Sequence, residues 1–234
     1  MLKILAMITM VIDHLALAFL PPSSSLYLVG RLIGRIAMPI FAYKIACGFI
    51  HTSNLKRYAY KILLMTLAAQ IPFTLLNNRG NFAAELLTHW NIGLTFLSAL
   101  GVLYLLTSPS EGHSFSRFII LFILFITASH SDYGIYGLAM VILFYYCITY
   151  KTSMFLSTLS VGVLTILYYT LSDPALAGYM IKMQLPALLA VPLIHYVPDN
   201  KVKGSKYFFY IFYPVHMFII VILQFYQIIL KKWI

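Results

Sequence analysis

Long apolar runs alternate with short polar breaks along the whole 234-residue chain. A helix needs about 20 apolar residues to cross a bilayer, so the runs predict membrane-spanning helices. The fifth run is short and could instead be re-entrant, and Pro186 and Pro192 predict a kink in the eighth. The pattern therefore predicts an all-α polytopic transmembrane helix bundle of eight or nine helices, forming one domain over residues 1–234. The nine runs fall at residues 2–20, 27–50, 58–76, 92–106, 118–128, 133–150, 154–171, 180–196 and 207–230.

Composition agrees with a lipid environment. Hydrophobic residues make up 62% of the chain and charged residues only 9%, against roughly 25% charged in soluble domains. A soluble enzyme, a disordered tail and a disulfide-linked secreted module are therefore excluded. The two cysteines, Cys47 and Cys147, lie in apolar runs and predict neither a disulfide framework nor a metal site. We expect no metal cofactor.

The net charge of +10 predicts an orientation rather than a nucleic-acid partner. Basic residues gather in cytoplasmic loops, where they meet anionic lipid, and some can also meet an anionic cosubstrate. Nine helices with a cytoplasmic N-terminus place more basic residues inside than outside. Lys231 and Lys232 argue for one helix more or fewer, and a cleaved signal peptide ending near Ala18 is a weaker alternative because Asp13 and His14 interrupt its apolar region. The inside set is Lys3, Lys56, Arg57, Lys61, Arg117, Lys151, Lys201, Lys203 and Lys206, and the outside set is Arg79, Lys182, Lys231 and Lys232.

Ionisable residues inside the first two apolar runs are candidates for function, because each is costly to bury in lipid. Asp13 lies on the first helix, and Arg31 and Arg35 share one face of the second. Gly30 and Gly34 would let these helices approach closely. We predict that Asp13 pairs with Arg31 or Arg35, either as a structural charge pair or as part of a site in which the second arginine binds a ligand.

His14 and His216 are the candidate histidines at membrane depth. A neutral imidazole is a competent general base near pH 7, although either histidine could instead be a packing residue. His216 follows Pro214, so it could simply bond a backbone carbonyl that the proline leaves free.

A basic cluster lies at the predicted cytoplasmic ends of the second and third runs. It either reflects membrane orientation or binds phosphate groups. Its members are His51, Lys56, Arg57 and Lys61.

Ordered sequence blocks from end to end resemble the TraX family, although residues from about 150 to 206 carry little of the resemblance. They are the opening residues 2–14, then GRIAMPIFA at 34–42, GFIHT at 48–52, QIPF at 70–73, NIGLT at 91–95, DYGIYG at 132–137 and YPVH at 213–216.

The resemblance implies a multi-pass acyltransferase of the bacterial inner membrane, similar to the wider acyltransferase-3 and heparan N-acetyltransferase group. It implies that acetyl-CoA is the cosubstrate and that an amine or hydroxyl accepts the acetyl group, for example a pilin N-terminus or a sugar. Carried onto this chain, it makes His14 catalytic with Asp13 and Arg35.

The remaining polar candidates would bind the cosubstrate, and the transfer could be direct or pass through an acetyl-histidine. A proton-coupled transporter or a non-catalytic assembly factor for pili or the cell envelope are the competing interpretations. The cosubstrate candidates are Arg31, His51, Lys56, Arg57, Lys61 and His216.

Overall fold

The computed structural model describes residues 1–77, 80–108, 114–198 and 207–233, and within them the chain is helical, without a β-strand. Arg79, Lys201, Lys203 and Lys206, which entered the orientation argument, lie outside these residues. The helices are α1 Leu2–Phe19, α2 Ser25–Gly34, α3 Ala37–His51, α4 Leu55–Asn77, α5 Phe82–Thr88, α6 Ile92–Thr107, α7 Ser114–Ser129, α8 Gly134–Thr149, α9 Met154–Ser172, α10 Ala177–Gln184, α11 Ala190–Tyr196 and α12 Phe208–Trp233.

Every predicted apolar run is a helical segment in the described residues. Six segments have the length and apolar character to cross a membrane: α1, α2 with α3, α4, α9, α10 with α11, and α12. The other three runs are the shorter apolar helices α6, α7 and α8. The predicted kink in the eighth run is confirmed, because a 3₁₀ turn at Leu185–Leu189 separates α10 from α11. The fifth run is one continuous helix, α7.

The second run is broken, although the sequence predicted one helix from residue 27 to 50. At the break the amides of Arg35 and Ile36 bond carbonyls three residues back, each at 3.2 Å, as in a 3₁₀ turn. Pro39 has no N–H and cannot bond the carbonyl of Arg35, which favours an interruption there. Arg35 therefore lies at the corner between α2 and α3.

Close packing brings α2 against α1. Gly30 and Gly34 are both buried, and a Cβ at Gly30 would lie 2.5 Å from the Ala16 Cβ. A Cβ at Gly34 would overlap the side chain of Asp13. The predicted role of the two glycines is therefore confirmed, and it places the charged side chains of the two helices within reach of each other.

The remaining helices surround a core built by α3, α4, α6 and α8. Buried side chains in it include Ile40, Ile62, Phe96 and Met140. In contrast, α7 exposes large apolar side chains along its length, Phe118, Phe122 and Phe125 among them. Exposed apolar surface on this scale suits contact with lipid rather than water. Helix α12 packs on α4 and α1, which brings the end of the chain beside its beginning.

Candidate active site

Asp13 is the centre of a buried ion cluster between α1 and the α2–α3 corner. Its Oδ2 lies 2.8 Å from Arg31 Nη1, and its Oδ1 lies 3.4 Å from Arg35 Nη2. Arg35 Nε also donates to the carbonyl of Arg31 at 3.1 Å. The predicted pairing is confirmed with both arginines rather than one, because the corner at residue 35 turns Arg35 back toward α1.

Tyr133 extends this cluster to the turn between α7 and α8. Arg35 Nη1 donates to the Tyr133 hydroxyl at 3.3 Å. Tyr133 has a φ of 61°, in the left-handed region that a bulky residue rarely adopts. The turn is fixed by backbone bonds to Trp90, which accepts from the Asp132 amide at 2.7 Å and donates to His130 at 2.8 Å. Such backbone strain is characteristic of functional sites, and here it directs Tyr133 to Arg35.

Asp132 changes the charge balance that the sequence suggested. It lines the same small cavity as Asp13, so two carboxylates accompany Arg31 and Arg35 rather than one. Asp132 lies in the turn after α7, where burial raises the pKa of its carboxyl and the charge of Arg35 opposes that rise. Because Asp13 bonds both arginines and a second acid lies at the same cavity, charge balance alone does not require a ligand for either arginine. Whether one of them binds a ligand stays a prediction.

His14 and His216 form a hydrogen-bonded pair of imidazoles. His14 Nδ1 lies 2.8 Å from His216 Nε2, and the two ring planes differ by only 7°. With the ring centroids 5.1 Å apart, the rings meet edge to edge rather than face to face. This pairing joins α1 to α12 at the depth of the ion cluster.

The hydrogen-bond partners define the protons of the pair when both rings are neutral. His216 Nδ1 lies 2.9 Å from the Phe212 carbonyl, which can only accept, so this nitrogen is the donor. His216 Nε2 must then accept from His14 Nδ1–H, and His14 Nε2 is left with its lone pair. A carbonyl bond was expected for His216, but Pro214 would free the carbonyl of Tyr210 in a regular helix, so the partner is a different one.

A cavity of about 50 Å³ lies beside His14, a space of the order of a few water molecules. Arg31, Arg35 and His216 do not belong to its lining. Each of them instead bonds a residue that does line the cavity. Arg31 and Arg35 bond Asp13, and His216 bonds His14. The polar side chains that line it belong to Asp13, His14, Asp132, Tyr133 and Tyr213, and the apolar lining includes Met10, Met38, Phe41, Met65 and Phe96.

Comparison with known proteins gives the family. The model of the TraX protein family matches residues 1–224. The chain belongs to the TraX family. It is 28% identical over 227 residues to the probable fimbrial assembly protein FimC, serogroup H1, of Dichelobacter nodosus, covering 92% of this chain and 91% of that protein. No solved structure matches.

The TraX resemblance drawn from the sequence blocks is thereby confirmed, and this TraX chain is a membrane protein. The likeness to the acyltransferase-3 and heparan N-acetyltransferase group stays a prediction.

The predicted basic cluster lies together at the end of α3 and the start of α4 in this TraX protein. Lys56 and Arg57 are exposed, and Lys61 Nζ lies 4.9 Å from the ring centre of Tyr207. Of the four, His51 lines a second cavity, of about 330 Å³, and Lys56, Arg57 and Lys61 are not in the lining of that cavity. Whether the cluster binds phosphate stays a prediction.

Three polar residues of the cavity lining were not among the predicted site residues: Asp132, Tyr133 and Tyr213. Asp132 and Tyr133 belong to a TraX block, but an aspartate just before a helix is usually only a cap. Tyr213 opens the YPVH block and is buried in the cavity wall. The usable signal was the place of all three within the family blocks, since nothing in their local sequence indicates a shared cavity.

Proposed function

We propose that this TraX protein transfers an acetyl group from acetyl-CoA to an amine or hydroxyl acceptor at the cavity beside His14. One observation carries the proposal: the hydrogen bonds of the histidine pair leave His14 Nε2 with a lone pair, and His14 lines a small, mostly apolar cavity. A general base in such a place must be neutral before reaction and must be held in one tautomer. The hydrogen bond from His14 Nδ1 to His216 Nε2 holds His14 in that tautomer and orientation.

The reaction follows from this arrangement. His14 Nε2 takes the proton from the acceptor as its nitrogen or oxygen attacks the thioester carbonyl carbon. The tetrahedral intermediate then collapses, the carbon–sulfur bond breaks, and the CoA thiolate leaves with the proton that His14 held. In the second route, His14 Nε2 itself attacks the thioester carbonyl carbon and the carbon–sulfur bond breaks, so that the CoA thiolate leaves. The acceptor then attacks the acetyl group on Nε2, the carbon–nitrogen bond to the imidazole breaks, and the acceptor's proton goes to the thiolate.

Tyr133 is the candidate for stabilising the oxyanion. Its hydroxyl already accepts a bond from Arg35, so its own O–H is left to donate toward the cavity that it lines. A donor fixed in place before reaction stabilises charge that develops in the transition state. Arg35 is then a positioning residue that acts through Tyr133, and Arg31 holds Asp13.

The acceptor we favour is the N-terminal amine of a pilin-like protein, at the bacterial inner membrane. The support is the name of the relative from Dichelobacter nodosus, a probable fimbrial assembly protein, together with the TraX family. The same name also favours a second function, that of a non-catalytic assembly factor for pili. In that case the buried charges would serve packing alone.

Radiolabelled acetyl-CoA offered to the purified full chain in nanodiscs tests the proposal. A peptide with a free N-terminus, the same peptide with a blocked N-terminus and a hydroxyl acceptor are compared, and release of free CoA thiol is measured. Transfer to an acceptor, with one thiol released per acetyl group, is the expected result. Absence of transfer to any acceptor would contradict it, and proton uptake by proteoliposomes without transfer would favour a transporter.

A further inference from the structure

A second and larger cavity opens near the start of α1. Its volume is about 330 Å³, and Lys3, Lys44 and His51 line it together with Tyr58, Phe209 and Tyr210. We call it the basic chamber. Lys3 and His51 are exposed and Lys44 is half-buried, so the chamber reaches the surface at the end of the bundle where α1 begins and α3 ends.

Among the residues that the structure describes, the lining of the basic chamber includes lysine and histidine side chains and no carboxylate. Of the acids in the described residues, Asp13 and Asp132 line the other cavity, whereas Glu85 belongs to α5 and Asp173 follows α9. His51 Nδ1 donates to the Cys47 carbonyl at 2.8 Å, which leaves Nε2 for another partner. The charges of the lining suit an anionic ligand with several oxygen acceptors, such as a phosphate.

The basic chamber and the cavity beside His14 share a wall. Phe41 and Phe209 line both, and their rings pack with centroids 4.9 Å apart. Lys3 and His14 are both on α1, eleven residues apart, which is about 16 Å along a helix. A ligand that used both cavities would need an anionic end, a slender arm of about that length and a reactive group at its tip.

We infer that the basic chamber binds the phosphate end of the acyl thioester donor, through Lys3 and Lys44, while the arm crosses the wall toward His14. The packed rings of Phe41 and Phe209 must separate to admit it. This rests on the proposed acetyl transfer and names where its donor binds. It also shifts the phosphate contacts from Lys56, Arg57 and Lys61 to two lysines outside the predicted cluster. The phosphate of an anionic lipid headgroup has the same chemistry and is the alternative source.

The inference is tested by measuring CoA binding and by comparing the kinetics of two acetyl donors, acetyl-CoA and S-acetyl-pantetheine. S-acetyl-pantetheine carries the arm and the thioester but no nucleotide phosphates, so it should bypass Lys3 and Lys44. In the double variant Lys3→Gln, Lys44→Gln, we expect the Kd of CoA and the KM of acetyl-CoA to rise about tenfold or more, since charge-assisted bonds are lost. The KM of S-acetyl-pantetheine should stay the same.

Three comparison variants make the result specific. Lys3→Arg with Lys44→Arg should retain CoA binding, which separates lost charge from lost structure. Lys151→Gln removes one exposed charge after α8 and should have no effect. Lys56→Gln with Arg57→Gln tests the competing site, and a loss of CoA binding there but not in the Lys3, Lys44 variant would overturn the chamber.

Three further outcomes would distinguish the chamber, the proposed acetyl transfer and a lipid site. An unchanged Kd of CoA in the Lys3, Lys44 variant overturns the inference, even if acetyl transfer is real. Chamber-dependent CoA binding without transfer to any acceptor supports the chamber and contradicts the proposed function. If the variant loses only its preference for phosphatidylglycerol over phosphatidylcholine in nanodiscs and keeps CoA affinity, the chamber is a lipid site.

Discussion

The two cavities differ in the charged side chains around them. Around His14, two carboxylates and two guanidinium groups lie within one cluster, and Asp13 is paired with both arginines. In the basic chamber, the described lining includes lysine and histidine side chains and no carboxylate. The first region carries both signs of charge, whereas the described lining of the second carries cationic side chains and no acid.

This difference suits the first region to the chemical reaction and the second region to binding of the cosubstrate. Groups that are fixed by each other before the substrate arrives need no rearrangement at the moment of reaction, which is how enzymes stabilise developing charge. Cations at an open cavity attract anions from solution, and their effect weakens as salt screens them. Variants should therefore affect stability and turnover at the first region, and affinity at the second.

The largest effect is expected on stability from Asp13→Asn. It leaves two buried guanidinium groups without their acid, and breaking a buried pair in this way costs about 3–5 kcal/mol. The measurement is the free energy of unfolding in detergent micelles. Asp173→Asn, in the exposed turn after α9, is the matched control and should be near neutral. Equal stability of the two variants would show that the cluster does not hold α1 to α2.

His14→Ala should lower kcat by roughly a hundredfold or more, the usual scale for loss of a general base. The protein should still fold and bind CoA, because the basic chamber is intact. His195→Ala, at the exposed end of α11, is the control. Near-normal turnover of His14→Ala would remove His14 from the mechanism, and His216→Ala would then be tested as the base.

Tyr133→Phe should lower kcat by about a hundredfold, since it removes one donor to the oxyanion. The ring and its packing stay, so the KM of acetyl-CoA should change little. Tyr136→Phe is the matched control, because the Tyr136 hydroxyl bonds Thr165 at 3.0 Å and does not line the cavity. Unchanged kcat in Tyr133→Phe would leave Arg35 with a structural role only.

His216→Phe should lower kcat by about tenfold, the worth of one hydrogen bond that orients His14. The KM of acetyl-CoA should stay unchanged, as His216 lines neither cavity. A fall in the free energy of unfolding without a change in kcat would instead make His216 a packing residue.

The smallest expected effect is that of ionic strength on the KM of acetyl-CoA. Raising ionic strength from about 0.05 to 0.5 M should raise the KM of acetyl-CoA several-fold, because the exposed charges of the chamber become screened. The KM of S-acetyl-pantetheine, which has no phosphates, and the kcat of both donors should hardly change. A salt effect of the same size on both donors would contradict the division between the two cavities.

The sequence by itself determined the lipid-facing bundle, its apolar helical runs and the pairing of Asp13 with the arginines of the next helix. These follow from local pattern, since burial in lipid selects long apolar helices and a short connection makes neighbours of α1 and α2. The glycines at 30 and 34 completed that argument, because small residues decide how closely two such helices approach. The family blocks added the correct membership, and with it the prediction that His14 is catalytic.

Only the tertiary structure decided which distant residues share a cavity. His14 and His216 are 202 positions apart, and Asp132 and Tyr133 come from a turn that no helix pattern connects to α1. A helical pattern shows which face of a helix is polar but not which helix lies against it, because packing partners depend on the shapes of all the helices together. For the same reason, nothing in the sequence connects Lys3 with Lys44, which line one chamber in the fold.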